Sequence, residues 1–323
     1  MMENMFNEEV NRVAKEHFYH QYQNNSIYKT FVDNVNFDHK REFNLSNIPY
    51  LPISAFKYHK VISGNWKETV IYTSSGTGGD QSRHFVRSNE AYLANCKKGF
   101  EQFYGPVQDF AFYALLPGYL EREGSSLISM MNHFIQSSKY KDSGFFLNDY
   151  ESLISRLKKA KNENRKAILW GVTYALLDFG ELYDLDWSDL IVLETGGMKG
   201  KRKEMIKRDL HHILKRQFGV RTIHSEYGMT ELLSQAYSLG EGIFTPCDTM
   251  HVHCRSIDDP FAISKLGKTG QIHIFDQANW DSISFIATED LGRMHDERRF
   301  EIIGRKDHSE QRGCNLLLEE FGV

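Results

Sequence analysis

The amino-acid sequence predicts an α/β protein, a core of short apolar strands alternating with amphipathic helices and followed by a smaller β-rich part. Three observations carry that expectation. Strand-like and helix-like runs take turns between residues 110 and 225, the pattern of a parallel sheet with helices on its faces. After residue 240 the apolar runs become short and are separated by polar turns, with no long helix between them. Finally, Thr73–Gly79 packs four hydroxyls and three glycines into seven residues just after the apolar pair Val70 and Ile71. The expected organisation is an α/β core over 1–240, a β-rich subdomain packed on it over 241–304, and a short terminal stretch, 305–323, carrying Cys314.

In chain order, residues 2–33 read as one or two helices, with Phe6, Val10 and Val13 at helical spacing and no glycine or proline. Asn44–Phe56 holds two prolines and no helical period, so it is an ordered or extended connection. Ser88 is placed to cap a helix whose Tyr92, Cys96, Phe100 and Phe103 recur at three and four residues. Phe110–Leu116, Ala167–Trp170 and Leu190–Leu193 read as strands, and Asp149–Lys161 as a helix between them. Lys201–Phe218 is the clearest helix, with Met205, Ile206, Leu210, Ile213, Leu214 and Phe218 expected inward. Gln271–Phe275, Ile283–Ala287 and Phe300–Ile303 are the later strands.

Composition bounds the function. The chain has 323 residues, 41% hydrophobic and 25% charged, with a net charge of −4 and no basic patch interleaved with aromatics, so nucleic acid is not expected as a partner. No run approaches the roughly 20 apolar residues of a membrane span, and the polar N-terminus lacks the apolar core of a secretory signal. The four cysteines are scattered with no CxxC pair, as in a reducing, cytoplasmic setting.

Four polar clusters fall at expected strand ends, where α/β proteins place ligands. The first is the hydroxyl- and glycine-rich loop, in which Ser74, Ser75, Gly76, Thr77 and Gly79 can turn N–H and O–H groups toward a phosphate and Arg83 adds positive charge; the alternative is a polar hairpin turn. The second is Glu194–Gly200, whose Gly196 and Gly197 admit a flat ring or a phosphate against the backbone; the alternative is a tight strand-to-helix turn. In the third, Ser225–Glu231, Tyr227 can stack on a base and Glu231 can ligate Mg²⁺ beside phosphates; the alternative is a helix start capped by Thr230. In the fourth, Asp290 within Thr288–Gly292 can hold ribose hydroxyls, and Arg305 within Gly304–Asp307 can counter phosphate charge; the alternative is surface salt bridging.

In order and spacing these clusters resemble the adenylate-forming (acyl-AMP synthetase, ANL) superfamily, and within it the acyl-protein synthetase (LuxE-type) family. The likeness runs from about Ile48 to the C-terminus, through Ile48–Lys57, Ser74–Gly79, Thr195–Lys199, Tyr227–Glu231 and Arg312–Leu316. It implies the N-terminal domain of an adenylate-forming enzyme, with parallel or mixed sheets flanked by helices. The implied reaction activates a fatty or other carboxylic acid with ATP and Mg²⁺ to acyl-AMP and then passes the acyl group to a thiol. Residue by residue, Ser74–Gly79 would hold pyrophosphate, and Gly196, Gly197 and Tyr227 adenine, flanked by Glu226, Gly228 and Met229. Thr230 would reach the α-phosphate, Asp290 and Arg305 the ribose and phosphate, and Glu231 the metal. Cys314 would receive the acyl group before an acceptor protein or a reductase partner.

The chain departs from the superfamily in three ways. Ser82, beside Arg83, stands where the phosphate loop has a lysine, and Gly78 replaces its second threonine. Only 308–323 follow Asp307, so the large mobile C-terminal domain with its catalytic lysine is expected to be absent; adenylation must then do without that lysine or borrow a basic group such as Lys199, Arg83 or Arg305. Rival readings are a non-catalytic acyl- or nucleotide-binding subunit of a reductase or synthase, and a ligase using coenzyme A or a carrier-protein thiol. A zinc site at Cys247, His251, His253 and Cys254 is disfavoured by ligand spacing, a Walker ATPase by Ala262 in place of its first glycine, and a serine hydrolase by the lack of GxSxG.

Overall fold

The computed structural model describes residues 6–38, 43–74, 81–117, 124–183, 185–197, 202, 205–259 and 261–306. They form two compact units: the described parts of Met1–Asn89, Glu231–Ser234 and Asp248–Val323 in the first, and those of Glu90–Thr230 and Gln235–Cys247 in the second.

The first unit begins with α1 (Glu8–Asn24) and α2 (Ser26–Asn34). Asn25 ends one and starts the other, its side chain accepting from the Tyr28 N–H at 3.0 Å. The connection predicted over 44–56 holds β1 (Leu51–Pro52) and the start of α3 (Ala55–Tyr58). A hairpin follows, β2 (Val70–Thr73) against β3 (Arg83–Val86), with Thr73 paired to Arg83.

The second unit is a mixed sheet between two helical layers. Its elements are α4 (Asn89–Tyr104), β4 (Ala111–Leu115), α5 (Ser126–Ser137), β5 (Gly144–Phe145), α6 (Tyr150–Asn162) and β6 (Ala167–Val172). They continue with α7 (Thr173–Leu182), β7 (Ile191–Thr195), α8 (Lys207–Phe218), β8 (Ile223–Tyr227), β9 (Ala236–Ser238) and β10 (Ile243–Pro246). Strand order is β10-β9-β8-β7-β6-β4-β5. β4 to β8 pair in parallel, and β9 and β10 are antiparallel additions. β4 and β6 are buried at every residue, as expected of parallel strands covered on both faces. On one face Trp170 meets Phe100 of α4 and Phe134 of α5, at 6.4 and 6.2 Å between ring centroids. On the other, Phe179 of α7 joins Tyr150 of α6 to Phe218 of α8.

The chain then returns to the first unit with β11 (Met250–Arg255), β12 (Gly270–Asp276), β13 (Phe285–Met294) and β14 (Phe300–Arg305), an antiparallel run in sequence order. The N-terminal segment belongs with this β-rich part. β1 pairs in parallel with β13. Arg255 donates to the carbonyls of Ser46 and Ile48 at 2.9 and 2.6 Å, and Gln21 to that of Asn279 at 2.9 Å. An apolar count along the chain cannot reveal this association, which rests on buried hydrogen bonds between residues some 200 apart in sequence.

Three local expectations change. The helix predicted from Lys201 begins at Lys207; Ile206 is extended (φ −65°, ψ 142°) and 60% exposed, and Met205 is exposed as well. The Ser225–Glu231 cluster begins inside β8, which runs to Tyr227, and among the described residues no helix starts at Thr230. Thr288–Gly292 is interior to β13 rather than at a strand end.

Candidate active site

In the second unit the site is built at the carboxyl ends of β6, β7 and β8. Register pairs Val172 with Thr195, Thr195 with Glu226, and Glu226 with Tyr237. Paired residues share a face, so these four side chains line the side covered by α4 and α5. One residue earlier, Gly171, Glu194, Ser225 and Ser238 share the opposite face. Adjacent strands therefore send two buried glutamates, Glu194 and Glu226, to opposite sides of one sheet.

Glu194 is fully compensated. Its Oε1 lies 2.7 Å from Lys207 Nζ and 3.5 Å from His211 Nε2, and it accepts from Ser225 Oγ; its Oε2 accepts from Thr173 Oγ1 at 3.2 Å. Burial alone would raise this carboxyl, but the Lys207 charge and the donors from His211, Lys207 and Ser225 outweigh it and hold it at about 2. Thr173 also donates to the carbonyl of Gly196 at 3.2 Å, tying the start of α7 to the turn after β7. Gly196 has φ +69°, a left-handed conformation that glycine adopts without steric cost.

Among the described residues Glu226 makes no ion pair, and the Lys207 charge acts on it only weakly. Its Oε2 accepts from Thr195 Oγ1, and burial, reinforced by the negative charge of Glu194, raises it to about 7. Gly228 leaves room for it: a Cβ there would lie 2.4 Å from Glu226 Oε1, so any side chain at 228 would make the carboxyl shift. Tyr227 is 9% exposed and packs on Phe244 at 5.8 Å. Met229 and Thr230 follow the strand, half-buried.

The first unit carries the rest of the described candidates. Ser74 and Ser82 close the base of the hydroxyl- and glycine-rich loop: Ser74 N–H donates to the Ser82 carbonyl at 3.1 Å, and Ser82 N–H to Ser74 Oγ at 3.0 Å. Arg83 is exposed on β3, its guanidinium 6.0 Å from the ring of Phe85. Glu231 is buried, and burial raises its carboxyl against the hydrogen bond from Ser82 and the charge of Arg305. Asp290 and Arg305 are a cross-strand pair with Nε to Oδ1 at 3.0 Å. The structure thus joins Glu231, Asp290 and Arg305 into one electrostatic group. Ser75, Gly76, Thr77, Gly79, Lys199 and Cys314 lie outside the described residues.

Sequence reasoning missed the partners: Lys207, His211, Ser225 and Thr173 around Glu194, Thr195 on Glu226, and Ser82 on Glu231. Ser82 had stood out as the residue in place of a lysine, and its bond to Glu231 is what that position does here. Among the described residues no group of three or more His, Cys, Asp or Glu could hold a metal ion. Glu231, with Glu289 near enough to raise it electrostatically, suits Mg²⁺, which needs only one or two carboxylates when phosphates and waters complete its shell.

A mixed α/β sheet flanked by helices, with its polar side chains gathered at the carboxyl ends of parallel strands, is the architecture of the N-terminal domain of adenylate-forming enzymes. Solved structures share it. A 2-hydroxyisobutyryl-CoA ligase in complex with 2-HIB-AMP and CoA matches 95% of this chain and 70% of its own length, with a TM-score of 0.70 and 12% identity. ATP-bound MatB from Rhodopseudomonas palustris matches 75% of this chain at a TM-score of 0.54 and 14% identity. MenE, the O-succinylbenzoate coenzyme A synthetase from Bacillus subtilis, in complex with ATP and magnesium ion, matches 73% at 0.51 and 14%. The chain spans 49% of the length of each of these last two. No curated protein sequence matches it. The family described as acyl-protein synthetase, LuxE, matches residues 127–321, more than half of the chain. The chain belongs to the LuxE acyl-protein synthetase family.

Proposed function

We propose that this chain activates a carboxylic acid with ATP and passes the acyl group to a thiol. A carboxylate oxygen attacks the α-phosphorus, the bond from that phosphorus to the bridging oxygen breaks, and pyrophosphate leaves, giving the mixed anhydride acyl-AMP. A thiolate sulfur then attacks the acyl carbon and AMP departs. The observation that carries the proposal is the meeting of the Gly196–Gly197 turn and the Glu226–Thr230 segment at neighbouring strand ends, joined by the Thr195–Glu226 hydrogen bond, in a chain of the LuxE family.

In the second unit the roles are adenine contact for Gly196, Gly197 and Tyr227, with Glu226, Gly228 and Met229 shaping that contact, and α-phosphate contact for Thr230. In the first unit Ser74, Ser75, Gly76, Thr77 and Gly79 hold the pyrophosphate through N–H and O–H donors, with Arg83 supplying charge. Asp290 takes ribose hydroxyls, and Arg305, which Asp290 orients, takes ribose or phosphate. Glu231 would hold Mg²⁺, which, when bound, neutralises charge on the phosphates. Lys199 is the candidate cation in place of a catalytic lysine, and Cys314 the thiol that loads an acceptor protein or reductase partner. A fatty acid is the substrate the family suggests. Among the described residues no helix is long and apolar enough to cross a membrane, and Cys96, Cys247 and Cys254 are free thiols; we place the protein in the cytoplasm.

Carboxylate-dependent exchange of labelled pyrophosphate into ATP tests the first step. Exchange is expected with at least one acid; none with short, long or aromatic acids, together with no ATP binding by calorimetry, would favour a non-catalytic binding subunit. A hydroxylamine-labile acyl adduct should form on the wild type and vanish in Cys314→Ser, and its persistence would move the acceptor elsewhere.

A further inference from the structure

Glu231 opens a buried stretch that lies outside every helix and strand. Residues 231–234 belong to the first unit and are irregular, yet Glu231, Leu232 and Ser234 are buried. A buried backbone needs acceptors for its N–H groups, and where no strand supplies them a side chain must. Asp276, the last residue of β12 and itself fully buried, is that side chain. Its Oδ2 accepts from the N–H of Leu233 at 2.7 Å, the N–H of Ser234 at 3.2 Å and Asn279 Nδ2 at 3.3 Å. Its Oδ1 accepts from Ser234 Oγ at 2.6 Å and the N–H of Ala278 at 3.1 Å.

Asn279 completes the clamp. Its side-chain amide donates to the Glu231 carbonyl at 2.8 Å as well as to Asp276. Its own carbonyl accepts from Gln21 Nε2 at 2.9 Å, which ties it to α1. The backbone is therefore held at the carbonyl of Glu231 and at the N–H groups of Leu233 and Ser234. At the far end of the side chain, the Glu231 carboxyl accepts from Ser82 and feels the charge of Arg305. With both ends anchored, few of the rotamers open to a glutamate remain.

We infer that Asp276, acting with Asn279, is the positioning residue for the Glu231 carboxylate. This rests on the reading above, in which Glu231 would hold Mg²⁺ beside the phosphates. Asp276 is fully buried and does not itself meet nucleotide; it aims the residue that does. Only a carboxylate serves at 276, because both of its oxygens accept. In Asp276→Asn one oxygen becomes an NH₂ group, which faces N–H donors on whichever side it lies, and the backbone after Glu231 must shift.

The test compares two affinities measured by calorimetry on each preparation, ATP with saturating Mg²⁺ and AMP without metal. Only the first depends on where the Glu231 carboxylate points. Changing a group that orients a metal ligand weakens metal binding by about 10–100-fold, so the ratio of ATP to AMP affinity should fall by about tenfold or more in Asp276→Asn. Asn279→Ala withdraws the donor from the Glu231 carbonyl and should lower the ratio as well, which gives a second route if Asp276→Asn does not fold. Glu231→Gln is the reference and should lower it at least as far. Unfolded protein reduces the number of binding sites without changing either affinity, so a merely structural role would leave the ratio in place. A ratio that falls in Glu231→Gln but keeps its wild-type value in both clamp variants would overturn the inference and leave Glu231 as the metal ligand. A ratio that Glu231→Gln does not move would take the metal from Glu231 and this inference with it, while pyrophosphate exchange still decides whether the chain adenylates. No exchange with any acid, together with no ATP binding, would remove the adenylation reading and this inference together.

Discussion

Glu194 and Glu226 end neighbouring strands of one sheet, are each buried, and differ in side only because they are out of step by one residue in register. That single step decides their chemistry. On the side of α7 and α8, Glu194 meets Lys207, His211, Ser225 and Thr173 and is held ionised at about 2. On the side of α4 and α5, Glu226 meets the Thr195 hydroxyl among aromatic rings and rises to about 7. Pairs of carboxyls pushed apart in this way divide labour: one is a fixed charge that braces the fold, and the other can change protonation near neutral pH. Burial is the same for both; the difference lies in what the covering helices present.

Removing the cation on the compensated side should have the largest effect. In Lys207→Met, Glu194 keeps its hydroxyl and imidazole donors but loses its counter-charge, and breaking one side of a buried pair costs about 3 kcal/mol or more. Urea unfolding at pH 7 would measure it. The pH dependence follows from the same pair. The carboxyl sits at about 2 in the folded protein against an ordinary 4.5, so it is depressed. Its contribution, about 3 kcal/mol, is present above pH 4.5 and lost as pH falls toward 2. Without Lys207 the folded carboxyl moves back up toward 4.5, so the variant has less of this stability to lose on acidification and its deficit against the wild type should shrink as pH falls from 4.5 toward 2; matching acid profiles would mean that Lys207 does not set the charge of Glu194.

The opposite sign is expected across the sheet. Glu226 is raised to about 7 from 4.5. The unfolded chain therefore releases its proton first, and stability falls as pH climbs from 4.5 to 7. Glu226→Gln keeps the shape and an oxygen for Thr195 but cannot ionise. It should stabilise the protein by up to about 3 kcal/mol at pH 8 and by little at pH 4. Thermal unfolding at the two pH values gives the difference, and a variant less stable than wild type at pH 8 would place Glu226 among the compensated carboxylates.

Much of this unit could be read from the sequence and its central contrast could not. The strands 111–115, 167–172 and 191–195 were legible because a buried parallel strand is a local apolar run. The glycine turn at 196–197 and the Tyr227–Glu231 segment were legible as motifs, and Asp290 and Arg305 were picked out as chemistry-bearing residues. What each glutamate faces depends on register and on helices elsewhere in the chain. Lys207 lies outside the motif that contains Glu194, and the helix bearing it begins six residues later than periodicity suggests, because Met205 and Ile206 are apolar yet exposed. Tyr237 and Trp170 are 67 residues apart in sequence and share a face only through three intervening strand pairings. Local patterns report burial; partners come from topology.

A smaller effect would sharpen the account of the neutral side. Thr195 donates a hydrogen bond that opposes the burial of Glu226 and so lowers it. Thr195→Val keeps the branched shape and removes the donor. Glu226 should move further up, and the variant should lose about 1 kcal/mol at pH 8, where the carboxylate most needs a donor. Below pH 5, where the acid is protonated and can donate itself, the loss should shrink. Equal losses at both pH values would assign the effect to packing.

The smallest stability effect is expected at Arg305, and it separates distance from burial as the source of the contrast. Arg305 and Asp290 pair at 3.0 Å, close to the 2.7 Å of Lys207 and Glu194, and Asp290 is itself 8% exposed. The Arg305 side chain, however, is 74% exposed, against 32% for Lys207. Water solvates the guanidinium whether or not the pair forms, so Arg305→Ala should cost less than about 1 kcal/mol in urea unfolding. If Arg305 contacts nucleotide as proposed, the same variant should raise KM for ATP in pyrophosphate exchange by about tenfold. A stability loss as large as that of Lys207→Met would show that the pair braces β13 against β14, and that proximity rather than burial governs both cations. A small stability loss with KM unchanged would remove Arg305 from nucleotide binding and leave the burial argument intact.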